Sequence, residues 1–389
     1  MFLIDKPYIS DFFKKTVKEN NIPVVATETA KGMGLHSGTY LISEDEAVEH
    51  YRSSERPLVY TSSENAIGWI SEKLSFSDLP AKIELFKNKL TFRRLTQSLF
   101  PDFYFKEIRA EELSSFRIEQ VPLPFVIKPA VGFFSIGVYK ISEHNEWGSA
   151  VRKIQNEINI IQSLYPEKVL DARSFIIEEC INGEEYAVDA YYNASGEPVI
   201  LGIFHHPFSS GSDVSDRVYI TSKDIIKENL SEFTDFAQKL GTLTGVKNFP
   251  VHMELRRDSN GKMMPIEVNP VRFGGWCTTA DITFLAFDFN PYMYFYLQKK
   301  PDWKKILKDH DDRLFSIVVL DNSTGISADK ISSFNYKKLL SSFEKPLDLR
   351  KIDYKEHSVF GFLFTESKKN NISELMNILQ SDLKEYVAV

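Results

Sequence analysis

The chain has 389 residues, 43% hydrophobic and 26% charged, with a formal net charge of −7, which suits two or three ordinary globular domains. An acidic balance with no basic tail argues against nucleic acid as a partner, and no apolar run approaches the roughly 18 residues of a membrane span. Two cysteines are too few for a disulfide framework or a cysteine zinc site, and the start MFLIDKPYIS lacks a signal-peptide core, so a soluble, cytoplasmic protein is expected.

Residues 1–86 alternate short β-like runs with polar helical ones. Helices are predicted over 11–20 and 47–52, and strands over 22–26, 39–42 and 58–61. That alternation reads as a small α/β domain with a parallel sheet. Lys31-Gly-Met-Gly34 lacks the spacing of a dinucleotide fingerprint, so this domain is expected to supply substrate contacts.

From Leu85 the register changes. Asn88 is placed to cap a helix from Lys89 through Phe92, Leu95 and Leu99, stopped by Pro101. In PLPFVIKPAVGFFSIGV (122–138) a buried strand over 125–127 ends at Lys128-Pro129, and Gly132 and Gly137 bracket a loop around Ser135. A strand, a lysine and a glycine loop with exposed amides can hold phosphate oxygens; a plain hairpin turn reads from the same residues. Residues 147–164 repeat Val151, Ile154, Ile158, Ile161 and Leu164 at helical spacing.

SFIIEECINGEEYAVDAYY (174–192) reads as a strand entering Glu178-Glu179, a break at Asn182-Gly183, and a second strand carrying Glu185, Val188 and Asp189. Strands are predicted over 198–204 and 217–221, and an amphipathic helix over 223–243. Asp189 and Arg217 read either as cleft residues or as structural ion pairs. Adjacent His205 and His206 point to opposite faces of a strand, so at most one meets a cleft.

HMELRRDSNGKMMPIEVNPVRFGG (252–275) is the most informative stretch. Ser-Asn-Gly between alternating apolar runs is a hairpin signal. Paired arms would bring Glu254, Glu267 and Asn269 together, with His252 on the Glu254 face. Such an all-oxygen set suits Mg²⁺ or Mn²⁺ shared with phosphates; the alternative is an ordinary hairpin with solvent-facing acids. Asn290-Pro291 starts a helix whose Tyr292, Tyr294, Phe295 and Tyr296 read as packing. A last unit from about 306 holds strands over 314–320 and 358–365 and a helix over 372–386.

In order and spacing, FVIKPAVGFFSIGV, FIIEECINGEEYAVD and the 252–275 segment resemble the lysine-and-glycine-loop, adenine hinge and metal hairpin of the ATP-grasp superfamily, in its carbamoyl-phosphate-synthase-like and amino-acid ligase branch. The resemblance spans about 85–301. It implies an α/β architecture: a pre-ATP-grasp domain (1–86), a two-lobed ATP-grasp core (87–305) and a small α/β C-terminal domain (306–389). It further implies that Lys89 and Lys128 contact ATP phosphates and that amides from Gly132 to Gly137, Ser135 included, cover them. Glu178, the Glu179 carbonyl and the Ile181 N–H would meet adenine, and Glu185 the ribose. Glu254, Glu267 and Asn269 would hold two Mg²⁺ (or Mn²⁺) ions. Arg272 would stabilise the transferring phosphoryl group or a substrate carboxylate, although Val271 separates it from the Asn-Pro it follows directly in the commoner pattern.

The activity so implied is ligation of a small carboxylic acid to an amine, amino-acid-like, through an acyl phosphate. The partners are small molecules, without nucleic acid or membrane; the oligomeric state stays open, with a homodimer as one option. Bicarbonate or hydroxyl acceptors, and a nucleotide-binding module without turnover, are the alternatives.

Overall fold

The computed structural model describes residues 1–131, 137–164, 171–210 and 215–389. At the N-terminus, β1 (Phe2–Leu3), β2 (Val24–Val25), β3 (Leu41–Ile42) and β4 (Tyr60–Thr61) form a parallel sheet in the order β3-β2-β1-β4. Parallel neighbours need crossover connections, supplied by the helices Asp11–Glu19, Glu28–Gly32 and Glu44–Ser53. Each starts at a hydroxyl cap (Ser10, Thr27 and Ser43), and Ser43 forms a capping box with Glu46 that satisfies orphan amides of the first turn. Two further helices, Ile67–Lys73 and Leu79–Lys87, which the sequence reading did not assign, lead to the helix Lys89–Thr96. Asn88 caps that helix through Oδ1, which accepts from Leu90 N and Thr91 N at 3.1 Å each.

A second sheet is antiparallel: β5 (Phe105–Arg109), β6 (Phe125–Val131), β7 (Tyr139–Ile141) and β8 (Asp171–Glu179), in the order β5-β8-β6-β7. Period two sends Phe125, Ile127, Phe175 and Ile177 into a core with Trp147, Val151 and Ile154 of the helix Trp147–Leu164. The same alternation leaves Lys128, Ile176 and Glu178 on the opposite face. β6 runs through Pro129 to Val131, beyond the expected end. The register slips between Pro129 and Val131, as a residue without an N–H requires.

The largest sheet is antiparallel throughout, formed by β9 (Glu184–Tyr192), β10 (Pro198–His206), β11 (Val218–Ser222), β12 (Phe249–Arg257), β13 (Met263–Pro270) and β14 (Arg313–Asp321), with β16 (Lys345–Lys351) and β17 (Val359–Lys368). Its order is β13-β12-β9-β10-β11-β14-β17-β16, while β15 (Ser333–Phe334) pairs with β18 (Val387–Ala388). Strands on both sides of residue 306 thus share one sheet. Along β9, the Tyr192 hydroxyl donates to Ala237 O and the Tyr186 ring lies 5.3 Å from Phe233, both on the helix Lys223–Thr244. Glu185, Ala187 and Asp189 therefore share the other face. The final helix is Ser373–Gln380, shorter than expected, and Leu383 beyond it has a positive φ of 60°.

The N-terminal sheet docks beside the β12–β13 hairpin. Thr61 N donates to Val271 O at 2.8 Å, and Tyr60 packs on Phe273 and Tyr292 in one continuous apolar core. Among the described residues no helix is long and apolar enough to cross a membrane.

Candidate active site

Glu254 on β12 is the direct cross-strand partner of Glu267 on β13, and His252 is that of Asn269. The turn between the arms is locked by Asp258 Oδ1, which accepts from Asn260 N at 2.9 Å and Lys262 N at 2.8 Å; Gly261 supplies a φ of 79°. Like charges directly opposite destabilise a strand pair, so the arrangement invites a cation. Burial, then the neighbouring charges of Glu267, Glu185 and Asp216, push the Glu254 carboxyl well above its ordinary value. Burial also raises Glu267, but Lys89 Nζ, 3.3 Å away, together with Lys128 and the Asn269 amide, outweighs it and holds Glu267 low.

Among the described residues no three His, Cys, Asp or Glu side chains form a metal cage. The donor set is two carboxylates and an amide oxygen. It is all oxygen and incomplete, which fits a Mg²⁺ ion completed by phosphate and water.

Lys128 and Glu178 project from the face of the small sheet that meets this hairpin. Lys128 Nζ lies 2.6 Å from Glu178 Oε1, and Arg93 Nε donates to Glu178 Oε2 at 2.7 Å. Burial raises Glu178, but Arg93 and Lys128 prevail and bring its pKa down to about 2. Burial also lowers Lys128 below the usual lysine value against the pull of Glu178. Both Glu178 oxygens thus hold cations, and the carboxylate keeps acceptor capacity for the adenine contact that the resemblance implies.

Glu185 is engaged in the same way: its oxygens meet His206 Nδ1 at 3.1 Å and Arg256 Nε at 2.8 Å, which braces the sheet. Arg256 Nη1 donates to Ile181 O at 2.7 Å and so ties down the segment between β8 and β9. There Gly183, at φ 120°, leaves no room for a Cβ, which would lie 2.1 Å from Arg257 O. Glu179, Cys180 and Ile181 are partly exposed. Gly137 has φ 72°, and a Cβ on it would press on Pro129 at 3.1 Å; Gly132 and Ser135 lie outside the described residues.

Asp189 takes its structural alternative, accepting from His252 Nδ1 at 2.7 Å and Gly274 N at 3.0 Å. Arg217 does likewise, pairing with Asp321 at 2.8 Å. His206 shares the Glu185 face, while His205 lies against the Tyr186 ring. His252 Nε2 lies 3.8 Å from Glu254.

A lysine and a buried acid on one sheet, facing paired acids on another, are the parts of a nucleotide cleft, and residues 121–280 match the ATP-grasp domain family. The chain carries an ATP-grasp domain. Its whole fold is similar to L-amino acid ligase from Bacillus licheniformis (TM-score 0.70, 18% identity, covering 100% of this chain and 97% of that one). It is also similar to N5-carboxyaminoimidazole ribonucleotide synthetase from Thermotoga maritima (0.63, 12%, 99% and 98%). A third likeness is to biotin carboxylase from Campylobacter jejuni, solved as a β-γ-ATP complex (0.61, 11%, 100% and 91%). No curated protein matches the chain in sequence.

The ATP-grasp cleft of this chain also holds residues that no motif named. Arg93, 3% exposed, donates to Pro265 O and Ile266 O of β13 as well as to Glu178, joining the two sheets. Its sequence signal was its place three residues after Leu90 and three before Thr96, on the buried face of an amphipathic helix. Arg272 Nη2 donates to Glu64 Oε1 at 2.7 Å, and Glu64 also pairs with Lys87. No local pattern marks Glu64 or Lys87.

Proposed function

We propose that this protein is an ATP-dependent ligase that activates a small carboxylic acid as an acyl phosphate and joins it to an amine, releasing ADP and phosphate. The observation that carries this reading is the direct pairing of Glu254 with Glu267 in a cleft rimmed by Lys89, Lys128 and Arg272. Such a site is built to gather metal and polyphosphate. Moving a γ-phosphoryl group needs alignment and charge neutralisation, not a covalent protein intermediate.

In this reading Lys128, steadied by Glu178, and Lys89 bind ATP phosphates. The Glu179 carbonyl and the Ile181 N–H edge the adenine, with Glu185 and Arg256 fixing that segment. Glu254, Glu267 and Asn269 would hold Mg²⁺, two ions when fully loaded, which supplies charge neutralisation at the phosphates. Arg272 stabilises the transferring phosphoryl group or the substrate carboxylate. A carboxylate oxygen attacks the γ-phosphorus as the bond to ADP breaks. The amine nitrogen then forms the C–N bond while phosphate leaves and the amine loses a proton.

The likeness to L-amino acid ligase supports amino-acid-like substrates. The test is phosphate release from ATP and Mg²⁺ with paired amino acids, followed by mass spectrometry of the product. Release that needs both an acid and an amine is expected; release that needs only bicarbonate would sink the reading.

A further inference from the structure

The N-terminal unit reaches the cleft at Glu64. After β4 the chain turns through a single 3₁₀ turn, Glu64–Ala66, and Glu64 points at Arg272. The three charged side chains are largely shielded from solvent, with Lys87 9%, Glu64 17% and Arg272 13% exposed. Lys87 also lines, with Lys89, Glu267 and Asn269, a small cavity beside the carboxylate pair.

Backbone geometry shows that Arg272 is held, not merely near. Val271 has a φ of 57°, an uncommon and strained value for a β-branched residue. Thr61 clamps it there: its N–H and hydroxyl both donate to Val271 O, at 2.8 and 3.3 Å. This one-residue left-handed step, between Pro270 and Arg272, turns the guanidinium toward Glu64. Arg272 Nη1 donates to Phe273 O at 2.9 Å and Nη2 to Glu64. Of the five donors on a guanidinium, three therefore remain for a ligand.

The charges decide what that ligand is. A lone Glu64 would cancel Arg272 and leave a neutral pair. Lys87 balances Glu64 instead, so Lys87, Glu64 and Arg272 together carry one net positive charge in a partly buried place, beside Glu254 and Glu267, whose charges the metal would neutralise. That matches one monoanion.

We propose that Glu64 and Lys87 are positioning residues for the acid substrate: Glu64 fixes Arg272 by one edge, and Lys87 keeps its charge available for the substrate carboxylate. This rests on the ligase reading above and deepens it by assigning Arg272 to the acid rather than to the transferring phosphoryl group.

The test uses the full chain with MgATP, hydroxylamine as the amine, and an equimolar mixture of the twenty common L-amino acids. Hydroxylamine nitrogen attacks the acyl phosphate, phosphate leaves, and the hydroxamates are identified by mass spectrometry. K87M is expected to raise the half-saturating concentration of the acid mixture about tenfold, with the apparent KM for ATP within about twofold. K87R should restore most of the loss, and E64Q should lower kcat as well by freeing Arg272. MgADP binding, measured by calorimetry, should stay at the wild-type value in each. If K87M or E64Q does not fold, K87R and E64D carry the test, and E64D is expected to give an intermediate acid KM. Hydroxamate formation in the variants with wild-type acid KM and kcat overturns the proposal alone. Wild-type protein that releases phosphate with bicarbonate yet forms no hydroxamate overturns the ligase reading, and the proposal with it.

Discussion

Glu178 holds Lys128 Nζ at 2.6 Å with one oxygen and Arg93 Nε at 2.7 Å with the other, so a single carboxylate links the small sheet to the helix Lys89–Thr96. Arg93 passes the link on to the carbonyls of Pro265 and Ile266. Removing one member of a buried ion cluster leaves the others uncompensated, at a cost on the order of 3 kcal/mol. E178Q is thus expected to shift the urea midpoint down markedly, and R93M similarly. Because both act on one cluster, the double variant should lose clearly less than the sum. Strict additivity in that cycle would show that the cluster is not a unit.

A second expectation concerns acid. The Glu178 and Glu64 carboxyls are both held at about 2: burial raises each, and the adjacent cations outweigh it. Folded values below the unfolded carboxylate value of about 4.3 mean that the unfolded chain binds more protons in this range. The stability these groups contribute, about 3 kcal/mol each, is present above pH of about 4 and is lost as pH falls toward about 2. Acid unfolding followed by circular dichroism should therefore flatten between those limits in E64Q and E178Q. An unchanged slope would contradict the assigned pairing.

The hairpin was legible because its signals are local. The turn residues at 258–261 and period-two alternation mark the two arms and bring the acids near each other, but counting back from Arg257 opposite Met263 would put Glu254 opposite Ile266; a register shift between Glu254 and Leu255 brings it opposite Glu267. Lys128 was legible from its place between a strand and a glycine loop. The charges that control these groups were not. Glu64 lies 208 residues from Arg272 and Arg93 lies 85 from Glu178, and such pairings exist only once three sheets have packed. The partners of Glu185 were hidden for the same reason, since a strand carboxylate gives no sign that His206 and Arg256 will flank it. β16 escaped notice because KPLDLRK is a polar edge strand with proline, which blunts both pattern and propensity.

The paired acids give a functional expectation. E267Q keeps the shape of the side chain and its place beside Lys89 while removing one of the two charges that face each other. Nucleotide binding without metal should change little, whereas Mg²⁺-dependent turnover should fall on the order of a hundredfold. Fluorescence titration with an ADP analogue and phosphate release separate the two effects. Wild-type turnover in E267Q would end the metal assignment.

The last expectation lies away from the cleft. Asp281, in the first turn of the helix Thr278–Phe287, pairs with Arg350 on β16 and sits 3.4 Å from the Tyr292 hydroxyl. Both charged groups are buried, Asp281 2% and Arg350 8% exposed, and Arg350 also lies 4.4 Å above the Phe364 ring. Burial dominates here: despite Arg350, the Asp281 carboxyl rises to about 6. A raised folded value means that the folded chain holds the extra proton between about pH 4 and 6, so the stability from this group is present below that window and lost as pH rises through it. The sign is opposite to that of Glu64 and Glu178, and the two windows do not overlap. D281N should abolish the decline between pH 4 and 6, because the amide stays neutral throughout. Thermal unfolding of wild type and D281N at pH 4, 5, 6 and 8 gives the check: parallel curves for the two proteins would show that Asp281 is ionised throughout and that its pairing with Arg350, not burial, controls it.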